Sequence, residues 1–315
     1  MGFTLLAVPA TLGSARSVGG MAKPKKRRRE PNRTATRKPA TTARAGSGPR
    51  PGPGTQRLRA STQALGKLLA GAPPDSLVPL LVPILWLHHV DGLPGNLCVD
   101  AAYTLRYAYA QFGIRAEIMP VDLVIQDSRT GATVMHGRPD PHWEDNQYVG
   151  HCVLRLPDDG RFVDATVEQY REISRLHLGP IVGRTVLSTG PVDAGRPVLA
   201  GTHFGVSRQH LMLLYTASGS EAAVDLASHP LIREGQPLYQ RAGLNLASHA
   251  LLALLDPAVI DRARQSPYPR LHALLDALTG RAHQITDDGD WYFLTPEPQR
   301  LDELTLPPST PPIPL

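Results

Sequence analysis

Hydrophobic and polar positions follow two different periods along this chain, and the change from one to the other outlines its architecture. Across 97–113, Cys98, Ala102, Leu105, Tyr109 and Phe112 recur three or four residues apart, one apolar stripe of helical period, and Gly113 stands where such a helix closes. Asn96 is the natural N-cap, which places Cys98 in the first helical turn. Residues 115–126 read as a strand interrupted at Pro120. A polar loop through Gly131, Gly137, Pro139 and Pro141 leads to 142–148. Two apolar runs, 149–156 and 161–165, then flank Pro157-Asp158-Asp159-Gly160 and predict an antiparallel hairpin.

That turn sets a register. With those residues as the loop, Leu156 faces Arg161 and Asp164 falls opposite Val153. His151 becomes the diagonal neighbour of Asp164 on one face, within roughly 7–8 Å at the backbone. The other face carries Cys152, Leu154, Leu156, Val163 and Ala165, a core composition. Alternation turns Cys152 away from His151, so Cys152 is expected to be a packing residue separate from the chemistry. Residues 166–178 read as helix or loop, 181–198 as short strands and 210–216 as a further strand. From about 220 the pattern is helical, with apolar helical spacing at 244–255 and 271–278 and a short strand at 290–294. The run 77–87 holds Pro79 and Pro83 and is well short of the roughly 20 residues of a membrane helix, so it is expected to pack beside the Cys98 helix.

Charge divides the chain unevenly. Fourteen of the 33 Lys/Arg lie in residues 1–60 with one acidic residue, Glu30, which leaves nineteen against 27 Asp/Glu in the rest. The net charge of +5 therefore belongs to a basic arm on an acidic body. The arm has no apolar period and is expected to be disordered. Its composition fits a solvated extension, with weak contact to nucleic acid or an anionic surface through residues 23–59 as the functional alternative. The short apolar run at 3–8 has no basic residue before it, the reverse of an export signal, and Met21 is a second candidate start. Two cysteines without an export signal argue against a disulfide framework and for a cytoplasmic location. No transmembrane segment is expected. The organisation expected is a basic arm (1–60), a core (61–205), a strand plus helical extension packed on it (206–300) and a proline-rich tail (301–315).

The candidate chemistry is thiol catalysis. A thiol at a helix N-terminus feels the positive end of the dipole, which favours the attacking thiolate. A histidine within reach shuttles the proton, and a carboxylate fixes its tautomer. Cys98, His151 and Asp164 meet those requirements in order and facing. The backbone N–H of Cys98 can stabilise an oxyanion. Asn96, Asn146 and Gln147 are candidates for a second donor, and Trp143 and Gln169 for lining the substrate cleft. His88-His89 and the His136, Asp140, His142 set match no zinc spacing, and neither a metal nor another cofactor is expected.

The set Asn96-Leu97-Cys98, Leu105, Gly113-Ile114-Arg115-Ala116, Gly150-His151 and Phe162-Val163-Asp164-Ala165-Thr166-Val167-Glu168-Gln169-Tyr170 resembles the transglutaminase-like, papain-like cysteine peptidase superfamily. The resemblance spans about 75–175 and implies an α+β core in which a Cys helix packs on an antiparallel sheet carrying His and Asp. It implies Cys98, His151 and Asp164 as a triad acting on a peptide or other amide substrate. The superfamily's frequent tryptophan two residues after His is Val153 here, and the Arg-Gly-Gly before Cys of arylamine N-acetyltransferases is Leu93-Pro94-Gly95, which points away from acetyl-CoA chemistry. The expected function is a thiol hydrolase or acyltransferase working through a Cys98 thioester. The competing expectation is a non-catalytic interaction protein of the same fold that binds an acidic partner through its arm.

Overall fold

In chain order the elements are α1 (Leu77–His89), α2 (Cys98–Gln111), β1 (Glu117–Asp127), β2 (Thr133–His136), β3 (His142–Glu144), β4 (Gln147–Val149), β5 (His151–Leu156), β6 (Arg161–Asp164), α3 (Arg171–Ser174), β7 (Ile181–Arg184), the two-residue strands β8 (Val186–Leu187) and β9 (Gly190–Pro191), β10 (His203–Arg208), β11 (Leu211–Ala217), α4 (Ser220–Ser228), α5 (Pro230–Leu254), α6 (Ile260–Ala263), α7 (Pro269–Leu278), and then β12 (His283–Ile285), β13 (Trp291–Phe293) and β14 (Gln299–Arg300). The computed structural model describes residues 65, 68–90, 97–137, 140–184 and 198–279, with the backbone of 186–187, 190–191, 283–285, 291–293 and 299–300. The basic arm, Asn96 and the tail 301–315 lie outside the described residues. The fold is α+β, an antiparallel sheet with helices packed on it.

Seven strands form the main sheet in the order β10-β11-β1-β5-β6-β7, with β2 also on β1. The 11-residue β1 makes this possible by serving two partners along one edge, β5 through 117–121 and β2 through 123–126, while β11 pairs along its other edge. The polar loop expected after 126 therefore contains a strand, β2. The sheet curls until its ends nearly meet. A Cβ on Gly183 of β7 would lie 2.8 Å from Val206 of β10. Arg208 of β10 donates to the carbonyls of Leu178 and Gly179, just before β7, at 2.9 and 3.2 Å. Inside the curl, the rings of Phe162, Phe204 and Tyr215 pack with centroids 4.7, 5.1 and 5.2 Å apart, beside fully buried Val121, Leu123 and Leu213. Each such burial contributes roughly 1.5–3 kcal/mol. The division drawn at 205/206 from the sequence falls within β10, because β10 and β11 are members of this sheet.

Two prolines show how local rules bend to packing. Pro120 does not interrupt β1. Its carbonyl accepts from Ser218 N at 3.0 Å, past the last β1–β11 pair at Val121 and Ala217, so the missing N–H falls where no ladder partner waits. Pro83 lies inside α1, where it cannot donate to the carbonyl four residues back, Pro79. The Tyr109 hydroxyl of α2 donates to that oxygen at 2.9 Å, and Tyr109 is fully buried. The broken helical bond thus becomes a tie between α1 and α2.

The helices cover the outer face of β5. α2 lies against it, and α5 lies against α2 so closely that a Cβ on Gly243 would come within 2.8 Å of the Thr104 carbonyl. The β5–β6 register is Leu154 to Val163, Arg155 to Phe162 and Leu156 to Arg161, as the turn sequence predicts. Gly160 takes the left-handed conformation (φ 59°) that closes the turn. Every residue of β5 is buried, since one face meets α2 and the other the inside of the curl. Among the described residues no helix is long and apolar enough to cross a membrane.

Candidate active site

Cys98 is the first residue of α2, and the N-cap is Leu97, with no side-chain capping bond. This corrects the expectation of an Asn96 cap. The ladder starts with Ala101 N to Leu97 O at 2.8 Å, so the Cys98 amide has no carbonyl to bond within its own helix. The helix start overhangs the beginning of β5. There the Cys98 thiol comes within electrostatic reach of His151, on the strand's inner face, and of Cys152, on its outer face.

His151 and Asp164 meet as their diagonal placement requires, with Nε2 to Oδ2 at 2.8 Å. Asp164 is fully engaged. Its Oδ2 also accepts from the Tyr215 hydroxyl at 3.0 Å, and its Oδ1 accepts from Thr166 N at 3.0 Å and Thr166 Oγ1 at 3.4 Å. These bonds fix the carboxylate, which fixes the imidazole. With Nε2 bound to Asp164, Nδ1 is the nitrogen left to serve Cys98. Gln169 Nε2 lies 3.3 Å from that Nδ1 and 3.3 Å from Thr166 Oγ1. Gln169, expected at the substrate cleft, thus lies at the Nδ1 edge of the histidine ring.

Cys152 is where the sequence reading fails. It does point to the outer face, but Cys98 reaches that face too, and the two thiols are in contact. The thiol and the backbone N–H of Cys152 lie near enough to act on the Cys98 sulfur. That amide is available because β6 pairs with β5 only as far as Leu154 and Val163. A void of about 10 Å³, near the lower limit for one water, lies between helix and sheet and is lined by Cys98, Ala102, Leu105, Cys152, Val163 and Ala165.

The electrostatics follow from these contacts. The Cys152 hydrogen bond pulls the Cys98 thiol down to about 5, with burial opposing and His151 assisting. Burial works against an imidazolium at His151, but the Asp164 carboxylate, its hydrogen bond and Cys98 outweigh it and push the ring up to about 10. Cys152 is held protonated, far above the usual thiol range, by its bond to Cys98 and then by burial. Both shifts favour the charged forms, a Cys98 thiolate and a His151 imidazolium.

The remaining candidates separate sharply. Asn146 and Gln147 are exposed in the β3–β4 turn, where Asp145 and Asn146 take positive φ (47° and 63°). Trp143 stacks on His229 at the start of α5, centroids 3.9 Å apart, and packs against the Tyr148 ring at 5.5 Å. Asn96 lies outside the described residues. The sequence reading missed Tyr148, one residue past Gln147. Its hydroxyl is buried with no hydrogen-bond partner among the described residues. Burial first, then the neighbouring cysteine pair, pushes that hydroxyl's pKa upward. It also missed Tyr215, whose alternation with Leu211 and Leu213 signals an inward face but names no partner.

The triad is closed over: Cys98 is 5 % exposed, His151 0 % and Asp164 1 %. Comparison of the chain with protein-family models, curated proteins and solved structures finds no match. A thiol held low, an imidazole beside it and a carboxylate that anchors the ring are the groups that nucleophilic attack and proton return at an acyl carbon require.

Proposed function

We propose that the protein is a thiol-dependent hydrolase or acyltransferase acting on an amide, peptide-like bond through a Cys98 thioester, on a core of papain/transglutaminase-like type with a helical C-terminal extension. The observation that carries this reading is the buried 2.8 Å His151–Asp164 bond on a ring that also hydrogen-bonds the Cys98 thiol. The Cys98 thiolate attacks the carbonyl carbon, and the oxyanion that forms is met by the Cys98 backbone N–H. The Tyr148 hydroxyl is the proposed second donor, since leaving a buried hydroxyl unbonded costs about 1–3 kcal/mol and an incoming oxyanion relieves it. His151 Nδ1 gives its proton to the leaving nitrogen, the C–N bond breaks and a thioester remains. The ring then takes a proton from water or an acceptor amine, which releases the acyl group and restores the thiolate.

The test uses iodoacetamide and an activated ester, p-nitrophenyl acetate, with mass mapping of the modified cysteine. Cys98 is expected to be alkylated and acetylated as soon as the pH exceeds about 5, where its thiolate forms. Ester turnover is expected to fall again above about 10, where His151 loses its proton. His151→Ala should move the onset of labelling to higher pH and abolish ester turnover. A Cys98 that reacts only above pH 8, with no acetyl adduct, would overturn the reading. That outcome supports the second reading, a non-catalytic interaction protein of the same fold, which the burial of Cys98 favours.

A further inference from the structure

We propose that Cys152 is a resolving thiol: when a hydroperoxide oxidises Cys98, the two residues close a Cys98–Cys152 disulfide that switches the nucleophile off reversibly. The inference stands apart from acyl chemistry, because it needs only the thiolate and its neighbour. Three observations carry it. The two free cysteines are both buried and stand close enough for each thiol to shift the other's titration. The void beside them is lined by both, which leaves the sulfurs room to shift toward bonding distance. His151 lies on the Cys98 side of the pair as a proton source.

The chemistry balances in two steps. The Cys98 thiolate attacks one peroxide oxygen, the O–O bond breaks, and the leaving oxygen takes the His151 proton to depart as an alcohol or water. Sulfur has been oxidised to the sulfenic acid and the peroxide reduced by two electrons. The Cys152 thiol then attacks the Cys98 sulfur, the S–O bond breaks, and the hydroxyl leaves with the Cys152 proton as a second water. The order of events is built in. While Cys98 is an anion its charge holds the proton on Cys152, so Cys98 alone is oxidised first. Once Cys98 is a neutral sulfenic acid that restraint disappears, and Cys152 is released to attack.

The experiment treats the full chain with hydrogen peroxide and follows intact mass and disulfide-mapped peptides. The expected product is a chain lighter by two hydrogens whose peptides are joined through Cys98 and Cys152, restored by dithiothreitol. In Cys152→Ser the same treatment should yield a dimedone-trappable sulfenic acid at Cys98 that advances to sulfinic acid and resists dithiothreitol. Sulfinic acid at Cys98 of the unaltered chain with Cys152 still free would overturn the proposal, as would two thiols that peroxide leaves unchanged. The mapping on the unaltered chain decides the matter even if the variant fails to fold. Failure of acyl turnover leaves this outcome untouched, so the two readings are tested separately.

Discussion

The β5–β6 hairpin carries a buried charge at each end, and only one end is poised for chemistry. At the turn end, Arg161 donates to the Asp75 carbonyl at 2.7 Å, to Asp75 Oδ2 at 2.7 Å and to Ser76 Oγ at 2.9 Å. Tyr268 of α7 joins by donating to the same carbonyl at 3.0 Å and to Asp159 Oδ2 at 2.7 Å. At the other end, Asp164 is bound by His151, Tyr215 and Thr166. Both ends hold a 95 %-or-more buried ionic side chain with its hydrogen bonds filled. They differ in what the partners leave over. The Arg161 network contains no thiol and no imidazole, and it ties the turn before α1 to β6 and α7. The Asp164 network passes its constraint to an imidazole whose second nitrogen faces a thiolate. A buried charge network becomes a candidate site when one member keeps an unspent proton and a nucleophile stands beside it.

Four substitutions break or sharpen this contrast. Asp164→Asn is expected to lower ester turnover about 10,000-fold, because the imidazole loses its tautomer and its counter-charge. A variant that keeps full turnover would reduce the Asp164 end to the status of the Arg161 end. Tyr148→Phe should cost about 100- to 1,000-fold in kcat with KM unchanged if its hydroxyl meets the oxyanion, read from steady-state kinetics. Arg161→Met, which keeps the apolar stem and removes the charge, should lower stability by about 1–3 kcal/mol in urea unfolding while leaving Cys98 alkylation and turnover intact. Its Asp75 partner is 44 % exposed, so water takes over the carboxylate and the penalty stays at the modest end. Tyr215→Phe removes one of the bonds to Asp164 and should cost about 1 kcal/mol of stability, the smallest effect in the series. Loss of turnover in Arg161→Met greater than in Tyr215→Phe would reverse the assignment of the two ends.

Much of the site is written locally. The Cys98 helix is legible because a stripe at helical spacing needs only its own residues, and the His151–Asp164 pairing is legible because a four-residue turn sets the register of everything beside it. Pro120 misled because its penalty depends on whether a neighbour needs the missing N–H, and that neighbour, Ser218, is far along the chain. Asn146 and Gln147 have suitable chemistry in an unsuitable place, at the tip of a hairpin that the polar pattern around 127–141 does not reveal.

Sequence alone determined the elements whose partners are close in the chain: α2, the β5–β6 hairpin, and the order of thiol, imidazole and carboxylate. The tertiary structure decided what meets across long separations. It brought Tyr215 to Asp164, Tyr109 to the Pro79 carbonyl, and Cys152 to Cys98 by letting the helix start overhang the strand end, where both faces of β5 are within reach. Alternation along a strand specifies which way a side chain points, whereas the position of the covering helix specifies what it touches, and that position depends on packing of the whole layer.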